Sequence, residues 1–270
     1  MVKRSELTNY LDSLLHLAEV QGDYSNNGLQ VEGSEEVKKI IFSVDISISL
    51  FNEAVKREAD LIFVHHGLSW GSNLKYLTNY NASLLKPLFK NDISLYGAHL
   101  PLDAQEKIGH NALMADMLQL RNKKMFAKYG SIEIGYTGKL NTPLKIHDLA
   151  VLLDSKLSDV INSYSINKSE KSEQAGRIFT LDNNKIIEKV GIISGGCGLD
   201  GVIAALEEGV DCLITGEFTH QNYHLAKENG LAIIAAGHYK TETPGVIGVM
   251  DAVKNKFNIQ TEFINIPTGL

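Results

Sequence analysis

The feature that most constrains the fold is a pattern the chain carries twice. Ile40-Ile41-Phe42-Ser43 matches Gly191-Ile192-Ile193-Ser194, and a helical stretch follows each, with Glu53-Ala54-Val55 in one copy and Ala204-Ala205-Leu206 in the other. Ala59-Asp60-Leu61-Ile62-Phe63-Val64-His65-His66 then matches Val210-Asp211-Cys212-Leu213-Ile214-Thr215-Gly216-Glu217 at a constant offset. Later, Tyr96-Gly97-Ala98-His99-x-x-x-Asp103 matches Ala235-Ala236-Gly237-His238-x-x-x-Glu242. Strands alternating with helices imply a mostly parallel sheet covered on both faces. The chain therefore reads as a duplicated α/β unit.

Local patterns fill in the elements. Residues 5–20 place Leu7, Tyr10, Leu11, Leu14, Leu15 and Ala18 on one helical face, with Ser5 as N-cap. Strands are expected at 37–45, 61–66 and 93–98, and helices at 47–58 and 82–91. Residues 127–140 alternate like a strand, 144–157 look helical, and the polar stretch 162–186 suits edge strands and surface loops. Residues 219–228 read as a helix with His220 and His224 on one face. Asp23-Tyr24-Ser25-Asn26-Asn27-Gly28 is a turn whose side chains could serve a nearby site.

The chemistry gathers where strands end. Ligands in parallel α/β sheets bind beyond the carboxyl ends of strands, and there the chain places His65, His66, His99, Asp103, Glu217, His238 and Glu242. Imidazoles and carboxylates without thiolates suit Zn, Mn, Fe, Co or Ni. Neighbouring residues of a strand face opposite ways, so His65 and His66 share a site only if the chain turns there or if two centres are present. The set is too large for one closed tetrahedral site and suits two ions roughly 3.5–4 Å apart. A helical H-E-x-x-H site is absent, because Gln221 stands where its Glu would be.

Other readings stay open or fall away. Gly196-Cys197-Gly198-Leu199-Asp200-Gly201 is a G-x-G-x-x-G after a strand. It fits either a dinucleotide turn, with Glu217 as the ribose acid, or a tight turn beneath a cavity. Ser43 and Ser194, the serines at the strand ends, lack an obvious base, so covalent serine chemistry is not supported. With 26 basic and 32 acidic residues the formal charge is −6, and no basic run interleaved with aromatics marks a nucleic-acid surface. Cys197 and Cys212 lack disulfide-framework or zinc-finger spacing and suit a reducing compartment. No apolar run approaches a membrane span of about 20 residues, and no signal segment opens the chain, so the expected location is cytoplasmic.

Five segments together resemble the Nif-three-like family, whose members carry the name GTP cyclohydrolase type-two homologue. They are Asn27-Gly28-Leu29-Gln30-Val31, Ala59 through Gly67, Ala98-His99-x-x-x-Asp103, Thr215-Gly216-Glu217 and Gly237-His238-Tyr239-x-Thr241-Glu242. The resemblance covers nearly the whole chain. It implies intertwined three-layer α/β/α halves with mixed, mostly parallel sheets, a homohexameric ring and a dinuclear metal centre in each subunit. Carried over, the ligands are His65, His66, Asp103, His238 and Glu242, holding two divalent ions, with His99 just behind them. The halves are expected at 1–126 plus 238–270 and at 127–237. Two departures stand out: Asn26-Asn27-Gly28 lacks an apolar residue between Asn and Gly, and 121–190 is too short for the domain some members insert.

The function expected is a metal-dependent hydrolase of a nucleotide-like small molecule, with Glu217 as proton carrier and His220 or His224 assisting. The rivals are a non-enzymatic regulatory or scaffold protein that binds metal and forms a hexameric ring, and a nucleotide-cofactor protein using the glycine turn.

Overall fold

Apolar strands with β-branched and aromatic residues set up two separate sheets in the computed structural model, which describes residues 1–167, 176–180 and 182–270. The chain divides into two compact units. The first takes Met1–Leu102 and Val246–Ile266, with a short return beginning at Tyr164; the second takes Asp103–Ser163, the chain up to Gly245, and Pro267–Leu270.

In the first unit, β1 (Val2–Lys3) pairs with β3 (Glu36–Val37) beside a five-stranded sheet. That sheet runs β13 (Gln260–Phe263), β4 (Lys39–Asp45), β5 (Leu61–His66), β6 (Ser94–Gly97), β2 (Gly28–Val31). The first four strands are parallel and β2 is antiparallel. Alternation sorts the side chains. Ile41, Ile62, Val64 and Leu95 pack on Leu50, Phe51 and Ala54 of α2 (Ile48–Lys56) and on Leu84, Leu85 and Leu88 of α3 (Asn79–Lys90). On the other face Phe42, Phe63 and Tyr96 stack across adjacent strands at 5.4 and 5.7 Å, and the Tyr96 hydroxyl donates to Asp12 of α1 (Arg4–Leu14). Each such buried side chain contributes about 1.5–3 kcal/mol. The Ser47 hydroxyl caps α2, accepting from Leu50 N. The first helix is shorter than its apolar stripe predicts: it has no side-chain cap, and left-handed His16 (φ 52°) ends it before a short turn at Leu17–Glu19.

The second unit holds a six-stranded sheet in the order β7 (Arg121–Tyr129), β8 (Ile132–Lys145), β10 (Ile186–Gly196), β11 (Cys212–Glu217), β12 (Ala232–Ala235), β9 (Arg177–Phe179). Here β10, β11 and β12 are parallel and the rest antiparallel. Val190, Ile192, Cys212, Ile214, Ala232 and Ile234 face α5 (His110–Met117) and α6 (Ile146–Tyr164). Residues of opposite parity, Ile193, Leu213 and Ile233, meet Val202 and Ala205 of α7 (Gly198–Glu208). The polar stretch expected to be edge strand and loop contains β9, while its residues 168–175 and 181 lie outside the described ones.

The duplication is real at the level of single atoms, with one shift from the sequence match: Ile40 pairs with Leu61 as Val190, and not Gly191, pairs with Cys212. Three parallel strands flanked by an antiparallel edge strand that comes earlier in the chain occur in both sheets. Asp60 accepts from the amides of Lys38 and Lys39, and Asp211 accepts from those of Glu188 and Lys189. Lys39 Nζ donates to Arg57 O, and Lys189 Nζ donates to Glu208 O. Residues 103–126, expected with the first half, lie with the second unit, because Ala112, Met114, Ala115, Leu118 and Leu120 belong to its core. His238 and Glu242 lie there too. Among the described residues no helix is long and apolar enough to cross a membrane.

Candidate metal centre

In the first unit β5 ends at His66, whose ladder partner is Asp45 at the end of β4. The two histidines do converge: their ring centroids are 4.5 Å apart, and His99 lies 5.2 Å from His65 and 5.6 Å from His66. Ligand-capable atoms of all three come within 4.8 Å of one another.

Every one of these rings is fixed through Nδ1. His65 Nδ1 is 2.9 Å from the Ala98 carbonyl, His66 Nδ1 is 2.7 Å from Asp45 Oδ1, and His99 Nδ1 is 2.9 Å from Asp23 Oδ1. Those partners accept, so each Nδ1 carries the proton and Nε2 becomes the donor atom for a cation.

The early turn is the support of this corner. Asn27 Oδ1 accepts from His99 N, its amide donates to Asp23 Oδ2, and that same oxygen accepts from Leu100 N. Burial would raise the Asp23 pKa, but its hydrogen bonds from His99 and Asn27 outweigh this and hold it below the usual carboxylate range. Gln30 fastens the loop after the histidines, accepting from Leu68 N and Ser69 N and donating to Asn26 O. Trp70 donates to Gly67 O and sets its ring edge-on to His99 at 4.9 Å.

The second unit builds a different corner. His238 stands between two carboxylates, with Nδ1 2.7 Å from Glu217 and Nε2 3.1 Å from Glu242. Burial disfavours its charge, yet the two carboxylates prevail and raise its pKa to about 9. Close approach here requires glycine: a Cβ at Gly216 would sit 2.6 Å from Gly195 O and 2.7 Å from His238 Cα. Thr241 Oγ1 accepts from Gly195 N, and Thr215 Oγ1 donates to Gly195 O. Asp103, buried in the same unit, accepts from the Ser194 hydroxyl at 3.2 Å. Asn111 positions that serine by accepting from its amide.

Several expectations change in detail. The ladders set Ala98 against Val64 and Ala236 against Thr215, so the second copy carries one extra residue, Gly237 (φ 99°), before its histidine. His220 falls in a short 3-10 turn and His224 in α8 (Tyr223–Glu228), so they do not share a helix face. Both are exposed, and His224 lies 3.8 Å from Glu228. Glu217, expected as a proton carrier, holds the Nδ1 of His238. In the glycine turn Gly198 opens α7 at φ 59° with open space around it, and a Cβ at Gly201 would press on Cys197 and Ile193, so the first glycine serves the backbone turn and the second helix packing. Both cysteines are buried thiols, and burial pushes Cys212 up to about 12. Sequence reasoning singled out the turn that carries Asp23 as able to serve a nearby site, and it does so on His99; it missed Asp45, Asn111 and Ser194, which are remote in sequence from the groups they hold.

A family model of DUF34/NIF3 (NGG1p interacting factor 3) matches residues 2–269. The chain belongs to that family. Its relatives include a Pyrococcus horikoshii protein named GTP cyclohydrolase 1 type 2 homolog, 38% identical over 99% of both chains. An Escherichia coli protein of the same name is 34% identical over 98% of this chain and 99% of its own. Among solved structures, protein ybgI, described as of unknown function, matches with a TM-score of 0.87 and 32% identity over 100% of both chains. A Thermus thermophilus protein matches with 0.82 and 30% over the same extent. In this DUF34/NIF3 chain the donor set fits a divalent cation: anchored imidazoles in one unit, and in the other an imidazole and carboxylate that share a proton where a cation would bind.

Proposed function

We propose that the chain is a metal-dependent hydrolase of a nucleotide-like small molecule, using a dinuclear centre held by His65, His66, Asp103, His238 and Glu242. The observation that carries this reading is the fixing of His65, His66 and His238 through Nδ1 to a carbonyl or carboxylate. Outer partners of this kind set the tautomer and strengthen a ligand. The names of the Pyrococcus and Escherichia relatives supply the nucleotide class, GTP being the example. When bound, the ions supply Lewis acidity and lower the pKa of water toward neutrality.

The chain's own residues do the rest. Asp45, Glu217 and the Ala98 carbonyl orient the ligands, and Asp23 and Asn27 hold His99 behind them. Glu217, half-exposed, is the group placed to exchange a proton with solvent at the corner. A homohexamer in the cytoplasm is the assembly and location this reading carries with it.

The test is metal content per subunit together with hydrolysis of a nucleoside triphosphate panel, for wild type, His65→Ala and Glu242→Gln. About two ions in the wild type, with metal and turnover lost together in both variants, is the expected result. Bound metal without turnover on any nucleotide moves the assignment to a regulatory or scaffold role.

A further inference from the structure

A cavity of about 350 Å³ opens in the second unit beside Glu217. Its position is informative because the first unit fills the corresponding space. There, β2 carries a bulge between Leu29 and Val31, and the extra residue, Gln30, lays its amide over Gly67 and Gly97; a Cβ at Gly97 would fall 2.8 Å from Gln30 Nε2. A bulge re-aims a side chain in this way. In the second unit β9 pairs with β12 without a register shift, and among the described residues none from β9 takes the place of Gln30. The counterparts of Gly67 and Gly97, Phe218 and Ala235, line the open space instead.

The walls define a ligand. Arg177 and Phe179 are two apart on β9 and so share a face, while Ile178 between them packs on the core. Phe179 and Phe218 make a wall with ring centroids 5.1 Å apart. Arg177 supplies a guanidinium with five donors, suited to a phosphate or carboxylate. Glu217 lies at the boundary between the cavity and His238. A largely apolar hollow of this size with a few polar groups is the form of a small-molecule site.

We propose that this cavity is a binding site for a nucleobase-sized aromatic ring carrying an anionic group, the ring against Phe179 and Phe218 and the anion on Arg177. As a substrate subsite it rests on the hydrolase reading; as a ring-binding site it is measurable with no metal bound.

The experiment is calorimetric titration of the full chain, chelator-treated and metal-loaded, with guanosine 5′-monophosphate, guanosine and ribose 5-phosphate. The nucleotide is expected to bind in both forms and ribose 5-phosphate far more weakly. Ala235→Phe, which fills the cavity without removing a core atom, should weaken nucleotide binding about tenfold or more while leaving metal content unchanged. Phe218→Leu is the second variant, expected to weaken nucleotide and nucleoside alike. Arg177→Gln should weaken the nucleotide and spare the nucleoside. Equal binding of ribose 5-phosphate and nucleotide, or nucleotide binding untouched by both Ala235→Phe and Phe218→Leu, overturns the proposal. Loss of metal with ring binding retained overturns only the hydrolase reading.

Discussion

The two repeats end their central strands in opposite chemistries. The first presents three imidazoles, two of them anchored by carboxylates behind them; the second brackets a single imidazole between two carboxylates. The first plugs the space beneath its edge strand with Gln30, and the second leaves it open. Yet the Asp60 and Asp211 clamps and the Lys39 and Lys189 contacts are the same. Duplication preserved the far end of each sheet, where only stability is at stake. The carboxyl end was free to diverge, into three imidazoles in the first unit and one imidazole between two carboxylates in the second.

The largest test of that contrast is Gly216→Ala. The equivalent position in the first repeat accommodates His65, but here backbone lies within 2.6–2.7 Å of a Cβ. A destabilisation of about 3 kcal/mol is expected, read as a lower urea midpoint; an unchanged midpoint would break the contrast. Next is Gln30→Ala, which removes the acceptor of two amides, Leu68 N and Ser69 N. It should cost about 2 kcal/mol and speed hydrogen exchange at both amides, and protection that persists would show the plug to be idle.

Smaller, and sharper, is the pair Asp60→Ala and Asp211→Ala. Each should cost about 1–2 kcal/mol, and the double variant should sum them to within about 0.5 kcal/mol. Unequal costs would mean that the far ends have diverged as well. The gentlest effect is a slope. The folded-state pKa of His238, about 9, is above its ordinary value of 6.5, so its contribution is full below pH 6.5 and is lost as pH rises through 9. Chelator-treated protein should therefore lose stability from pH 6.5 to 9, and His238→Gln should flatten that slope. A wild-type midpoint that rises over this window contradicts the assignment.

The chain's periodicity made its parallel strands, the repeat and the polar strand ends legible in advance. Strands buried on both faces, such as Leu61–Val64, are continuous apolar runs, and loop polarity follows them directly. The anchors were hidden for a physical reason. Asp45 reaches His66 only through the β4–β5 register, and Asp23 reaches His99 across 76 positions, so no local spacing signals either. Gln30 was visible only within the family segment at 27–31, with no role, because a bulge is a property of the pairing and not of one strand. The helical spacing of His220 and His224 misled, since the first turn there is too tight for residues four apart to align.

The route of the chain has a consequence for how the protein is made. The first unit's sheet acquires β13 beside β4 from residues near the end, and Ser43 donates to Ile264 O across 221 positions. A ribosome thus delivers every strand of the second sheet, through Ala235, before the strand that finishes the first. Until then Lys39–Asp45 is an open edge that a neighbouring nascent chain could pair with. Vectorial synthesis makes the older half of the polypeptide the later one to mature.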